Sequence, residues 1–254
     1  MPILLAAAVS AAPAALAWRL RALTLSGAVA ALVVGTLILA ATGWPGAAIL
    51  GVYFATSTGI SRIVTDLRGA DDDQSRTETR TARQVIANGG PAALGALAEW
   101  HTPGLGLWLV AAGLAAAGAD TWATAFGGLS PRPPRDLLRF RVVPRGTSGG
   151  VTWFGTTGSL MGAATIGLVA LSVGAGPRSF LAAVLIGAGA TVFDSALGSG
   201  LQARFYCPAC DRPTERRRHC GTAPRLVSGV TWLDNDAVNL VSTAAAVATG
   251  FLAW

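Results

Sequence analysis

The chain has 254 residues, 52% hydrophobic and 13% charged, and its net charge of +6 rests on 19 basic residues, all of them arginine. Several charge-free stretches approach or exceed the roughly 20 residues that span a bilayer core, which excludes a soluble domain and points to a polytopic helical membrane protein. The runs are continuous, rich in Ala, Leu and Gly, and lack period-2 alternation, which argues against a β-barrel.

Taken in chain order, the pattern predicts an all-α transmembrane bundle of about eight spans, at residues 3–18, 25–42, 46–63, 83–99, 104–128, 149–173, 179–203 and 234–252. The first span opens Met-Pro-Ile with no basic segment ahead of it, so it reads as a retained helix and not a secretory signal. Thr42-Gly43-Trp44-Pro45-Gly46 divides the next long run with turn residues. Arginines fall in alternate connections: Arg19 and Arg21; then Arg62, Arg68, Arg76, Arg80 and Arg83; then Arg132, Arg135, Arg139, Arg141 and Arg145; then Arg204, Arg212, Arg216, Arg217, Arg218 and Arg225. The other connections carry only Arg178. By the positive-inside rule the four basic loops are cytoplasmic, both termini face out, and the chain is one domain, 1–254, of an inner membrane. Trp18, Trp44, Trp100, Trp153, Trp232 and Trp254 fall near span ends, as an interfacial belt would, so they are anchors and no nucleic-acid partner is expected. Asp71-Asp72-Asp73 reads as a solvated run, and His101, at an outer helix end, is assigned no role.

Two aspartates stand inside predicted spans. Asp120 lies in GADTWAT, about 15 Å of helical rise before Pro131, and Asp194 lies in FDSALGSG at a similar distance from Arg204. A carboxylate at that depth costs roughly 2.5–3.5 kcal/mol on insertion scales, so it marks a functional site by default. Asn88 near the start of the fourth span, Asn235, Asp236 and Asn239 at the start of the eighth, and Gly146-Thr147-Ser148-Gly149-Gly150 before the sixth should reach the same level. Carboxylates and amides around a wet mouth suit Mg²⁺, which takes oxygen ligands and keeps waters and substrate phosphates. The glycine-rich run at a helix start offers N–H groups, hydroxyls and a positive dipole end to phosphate, with Arg141 and Arg145 beside it as clamps. Taken singly, Asn88, Ser195 or Asn239 could equally be bridging packed helices.

RQVIANGG (83–90), GADTWAT (118–124), VPRGTSGGVTWFGT (143–156), FDSALGSGLQ (193–202) and LDNDAVNL (233–240) occur in an order that resembles the integral-membrane family containing the phytyl-phosphate kinase of plant vitamin E biosynthesis and many uncharacterised prokaryotic proteins. The pattern is also similar, more distantly, to CTP-dependent polyprenol kinases and CDP-lipid synthases. The resemblance implies a kinase that transfers a phosphoryl group from a nucleoside triphosphate, CTP in this reading, to an isoprenyl monophosphate such as phytyl phosphate. It implies Asp120, Asp194, Asp236 and Arg145 as catalytic residues, with Asp120 and Asp194 on Mg²⁺. Asn88, Thr121, Arg141, Gly146, Thr147, Ser148, Gly149, Gly150, Ser195, Asn235 and Asn239 would bind nucleotide or lipid phosphate. One departure stands out: the family usually reads ADTxAxE, and Ala125 occupies the glutamate position here. A carrier or flippase for polyprenyl phosphates could use the same basic mouth without chemistry, but the outer connections are short and nearly uncharged, which favours the enzyme.

The predicted loop at 204–233 holds Cys207-Pro-Ala-Cys210 and His219-Cys220, all three cysteines of the chain. CxxC with a further His and Cys is a ligand set for structural Zn²⁺, with a free thiol or a metal-free loop as alternatives. Gly158 and Gly162 form a GxxxG that permits close helix approach, within the chain or between chains.

Overall fold

The structure, a computed structural model, describes residues 1–68 and 79–254. The acidic run Asp71-Asp72-Asp73 and Arg76 lie outside the described residues. Seven α-helices are present among them: α1 Ile3–Arg19, α2 Leu25–Arg68, α3 Ala82–Ala96, α4 Leu105–Gly128, α5 Trp153–Ser172, α6 Arg178–Gly200 and α7 Asn235–Leu252, with a 3₁₀ turn at Leu97–Trp100 after α3. Four of them, α2, α4, α5 and α6, are long and apolar enough on their own to cross a membrane. The expected transmembrane helical bundle is therefore what the chain forms.

The 44 residues of α2, if straight, would reach about 66 Å, twice the hydrocarbon thickness. They are not straight. Gly43 has φ 66° and ψ −157°, a left-handed excursion that a residue with a Cβ resists. Beyond it α2 doubles back, so that Leu50 Cδ2 lies 3.9 Å from where a Cβ on Gly35 would stand; along a straight helix the two positions would be about 22 Å apart. The turn predicted at 42–46 is this fold-back, with Pro45 in the first turn of the second arm, where its missing N–H costs nothing.

Helix α4 is the axis of the bundle and packs against α2, α3, α5, α6 and α7. Every residue from Leu105 to Ala119 is buried, and most are Ala, Gly or Leu, so neighbouring backbones come close. The GxxxG pair works within the chain. A Cβ on Gly158 would stand 2.6 Å from the Trp122 carbonyl oxygen, and one on Gly162 would stand 2.6 Å from that of Gly118. Glu99 accepts N–H bonds from Gly104 (2.8 Å) and Leu107 (3.1 Å), placing a carboxylate at the positive end of α4. The six tryptophans expected at span ends are all exposed, from 47% for Trp18 to 82% for Trp153. Trp108, by contrast, is buried and donates to the Gly250 carbonyl at 2.8 Å.

The basic connections carry structure that hydropathy did not predict. Between α4 and α5, β1 (Arg135–Asp136) pairs antiparallel with β2 (Gly150–Val151). Between α6 and α7, β3 (Arg204–Cys207) is the central strand of an antiparallel sheet, flanked by β4 (Arg212–Thr214) and β5 (Arg225–Ser228). The expected sixth span began at 149, but Gly150 and Val151 are drawn into β2, and α5 starts only at Trp153 with Thr152 as N-cap, its hydroxyl accepting from Gly155 N–H at 3.0 Å. Asp234 likewise caps α7, accepting from Ala237 N–H at 3.1 Å, and Thr81 with Gln84 forms a capping box at α3.

Candidate functional site

Helices α3, α4 and α6 each bring one polar side chain, Asn88, Asp120 and Asp194, and α7 brings Asn239, Ser242 and Thr243, to the lining of one small cleft. Asp194 Oδ2 is buried and makes no hydrogen bond of ordinary geometry among the described residues; the Ser242 hydroxyl, which also lacks one, stands close enough to the Asp194 carboxylate to act as a weak donor. A buried carboxylate with so few donors is costly, and an all-oxygen set of two carboxylates, two amides and hydroxyls is the chemistry of a hard cation site.

The cleft opens into a cavity of about 2110 Å³, well beyond the roughly 300–1,000 Å³ of an ordinary small-ligand pocket. Asn88, Asp120, Thr121, Asp194, Ser195, Asn235 and Asn239 line it on the helix side, and Arg145 with Gly146 to Gly150 line it on the loop side. The polar clusters read from the sequence thus converge on one space. Two of the expected residues do not. Arg141 is not among the lining residues; it is exposed, and its carbonyl accepts the Asp136 N–H at 2.8 Å as part of a tight turn. Asp236 is also absent from the lining, and its carboxylate lies 3.5 Å from Arg83 Nε, beside Asp234, which holds Arg83 at 2.8 Å and Arg217 at 3.5 Å. Ala125, where the resemblance calls for glutamate, is buried and faces the cavity.

The glycine-rich loop differs from the expected helix N-terminus. Its amides lie ahead of α5 and belong to a turn in which Gly150 N–H donates to Thr147 O at 3.0 Å. Gly149 has φ +80°, and a Cβ there would stand 2.4 Å from Ser199 N, so glycine alone lets the loop lie on the end of α6. The anion-binding donors of the loop already hold an anion from the chain itself. Glu215 accepts from Ser148 N–H (2.9 Å), Ser148 Oγ (2.6 Å) and Gln202 Nε2 (3.0 Å), while Arg204 donates to the carbonyls of Ser148 (3.0 Å) and Gly198 (3.2 Å).

A second carboxylate fixes the loop from below. Asp136, 2% exposed, accepts from Ser199 Oγ (2.6 Å), Arg139 N–H (2.8 Å) and Leu138 N–H (3.1 Å), and pairs with the guanidinium groups of Arg139 (3.4 Å) and Arg204 (3.8 Å). Burial pushes its pKa up, but the Ser199 hydroxyl, the Arg139 and Leu138 amides and the Arg139 charge together outweigh that and hold it below the usual carboxylate value.

Residues 8–247 match the family described as Integral membrane protein DUF92. The chain belongs to that family. It is 28% identical over 253 residues to Protein PGR of Arabidopsis thaliana, covering 89% of this chain and 86% of the plant protein. It is 31% identical over 149 residues to the Uncharacterized membrane protein MJ0933 of Methanocaldococcus jannaschii, covering 58% of this chain and 61% of the archaeal one. No solved structure matches.

In this DUF92 member the residues that the sequence did not single out are Asp136, Ser199, Gln202, Arg204 and Glu215. The two acids sit among arginines and resemble solvated charges; only the pairing of β1 with β2, and of β3 with β4, turns them inward. The metal-ligand spacing was the stronger signal. Sγ of Cys207, Cys210 and Cys220 and a ring nitrogen of His219 all lie within 4.8 Å of one another. The Cys207 thiol is pulled down to about 6 by hydrogen bonding to His219 and to the Cys210 and Ala209 amides, while burial and the two neighbouring sulfurs push Cys210 up to about 11. His219, Cys220 and Cys210 also line the large cavity, so this cluster forms part of its outer wall.

Proposed function

We propose that this protein is a membrane phosphotransferase that passes a phosphoryl group from a nucleoside triphosphate to an isoprenyl monophosphate, with its cavity open to the cytoplasm. The observation that carries the reading is that Asp120 and Asp194, the latter with a buried oxygen that lacks a well-formed hydrogen bond, line one cavity together with Arg145 and the glycine-rich loop. Asp120 and Asp194 would hold Mg²⁺, whose charge offsets that of the transferred group. Asn88 and Asn239 border the same cleft and orient the carboxylates or their ligands. Arg145, on the loop wall, donates to Pro131 O at 3.3 Å and presents its charge to phosphate oxygens. An oxygen of the lipid phosphate attacks the terminal phosphorus of the nucleotide, the bond to the bridging oxygen breaks, and a nucleoside diphosphate leaves. The acceptor is already ionised, so no protein base is required. The choice of isoprenoid and of CTP rests on the sequence resemblance, and the cavity's size supports it by accommodating both substrates.

The test is incubation of purified protein in lipid nanodiscs with radiolabelled CTP or ATP, Mg²⁺ and a panel of isoprenyl monophosphates. A labelled isoprenyl diphosphate is expected. Absence of that product from every pairing, together with saturable binding of the lipid headgroup, would overturn the kinase reading in favour of a carrier, which lipid translocation in proteoliposomes would then test. Asp194→Asn should lower turnover by at least about a hundredfold with the protein still monodisperse; full activity in that variant removes Asp194 from the site.

A further inference from the structure

The sheet β4-β3-β5 is poorly equipped to hold itself together. All of β5 is exposed, β4 is mostly so, and the buried residues of the segment reduce to Phe205 and Cys207. Modules this small are ordinarily stapled by a disulfide or a metal. The cysteines are all free thiols.

The geometry around them is that of a metal cage. In a tetrahedral zinc site with bonds of about 2.3 Å to sulfur, ligand atoms stand about 3.8 Å apart, and slightly closer where one is nitrogen. Here His219 Nδ1 lies 3.4 Å from Cys210 Sγ and 3.3 Å from Cys220 Sγ, and no pair among the four exceeds 4.8 Å. Adjacent ligands such as His219 and Cys220 cannot ordinarily aim at one point. They do so because the backbone reverses between them and Thr222: His219 N–H donates to Thr222 O (3.1 Å), Thr222 N–H to His219 O (3.0 Å), and the two central residues have φ +50° at Cys220 and +72° at Gly221. A tight turn with positive φ at both central positions favours Asn, Asp or Gly. A cysteine there accepts about 1–2 kcal/mol of backbone strain, which is explicable if its sulfur is needed. Asp211, with φ +57°, makes the matching reversal after Cys210. The sheet in turn delivers Glu215, one residue past β4, to Ser148 and Gln202.

We infer that Cys207, Cys210, His219 and Cys220 bind one Zn²⁺ ion, and that the metal sets the sheet as a latch which holds Glu215 on the Ser148 end of the glycine-rich loop. Metal and latch are independent of the phosphotransferase reading; a failure of either leaves that reading untouched. The ligands are thiolate-rich and select zinc over the hard cation suited to the aspartate cleft, so the protein has two metal environments of opposite chemistry.

The test uses the full-length protein in detergent. Elemental analysis should give one zinc per chain, and cobalt substitution should give intense thiolate-to-metal charge-transfer absorption, both lost in the Cys207→Ser/Cys220→Ser double variant. Metal-free protein, or a double variant with the wild-type cobalt spectrum, overturns the site. Hydrogen exchange at the Ser148 amide reads the latch: chelation, and separately Glu215→Gln at full zinc occupancy, should each speed it by about ten- to a hundredfold, the range expected when a bond to a charged acceptor is lost. Unchanged exchange after chelation overturns the latch. Glu215→Gln keeps every metal ligand, so its effect is readable even if the cysteine variant misfolds.

Discussion

Asp136→Asn isolates what anchors the basic loop under the site. The carboxylate is 2% exposed and accepts three hydrogen bonds of 3.1 Å or less, from Ser199, Arg139 and Leu138. The amide keeps one acceptor oxygen, turns the other into a donor facing donors, and removes the counter-charge of Arg139 and Arg204. Bonds to a charged acceptor contribute about 1.5–3 kcal/mol each, but they are not additive, and breaking a buried pair costs about 3–5 kcal/mol in all. The Arg139 side chain is 50% exposed and screened, which places the expected loss near the lower bound, about 3 kcal/mol. The pH dependence has a definite sign. A carboxyl whose folded pKa is lowered contributes stability above its unfolded value of about 3.9 and loses it as the pH falls through the lower folded value. Wild type should therefore lose stability below about pH 4 more steeply than Asp136→Asn, and the two should converge in acid. Denaturant titrations in detergent at stepped pH measure both. A variant within about 0.5 kcal/mol of wild type at neutral pH, or one whose gap from wild type widens in acid, refutes the reasoning.

Three further outcomes are expected. Gly162→Ala should cost about 1–3 kcal/mol, because its Cβ would stand 2.6 Å from Gly118 O, whereas Gly189→Ala, which meets nothing within 4 Å, should be neutral or stabilising by up to about 1 kcal/mol; thermal melts of the pair that coincide would deny the close α4–α5 contact. Asp234→Ala removes the α7 cap and the partner of Arg83 and Arg217, for a loss of about 1–2 kcal/mol concentrated in faster amide exchange over the first turn of α7, with uniform exchange across the helix as the contrary result. Ala125→Glu puts a carboxylate into the cavity wall and should tighten Mg²⁺ binding by about tenfold in calorimetry; weaker binding would show that this wall does not serve the cation.

The helical part of the fold was legible because bilayer-length apolar runs leave few alternatives. The α4 and α6 limits fall within three residues of the predicted spans, and even the α2 fold-back was marked by Gly43 and Pro45. The strands were not legible. β3, β4 and β5 are three or four residues long and arginine-bearing, too short for the alternation of β3 to stand out in the sequence, and the turns at Asp211 and Gly221 lie between the strands that pair. The same reason hid Glu215 and Asp136. Local sequence states that an acid is present, but only long-range pairing, 67 residues apart for Ser148 and Glu215 and 63 for Asp136 and Ser199, decides that it is held by the chain's own donors. Asp120 and Asp194 were visible for the opposite reason: a charge within an apolar run is conspicuous wherever it ends up.

The burial of α4 bears on how the protein is made. Among the helices able to cross a membrane it is the most enclosed, with 78% of its apolar window buried against 22% for α6. It also carries Asp120. A segment rich in Ala and Gly, with a carboxylate in its C-terminal half, partitions less readily into lipid than a run of Leu and Ile of the same length. Its neighbours bring the missing affinity: α2 and α3 are synthesised before it, and α5, with Gly158 and Gly162, follows within 25 residues. The helix at the centre of the site is thus held in place by the helices that enclose it more than by contact with lipid.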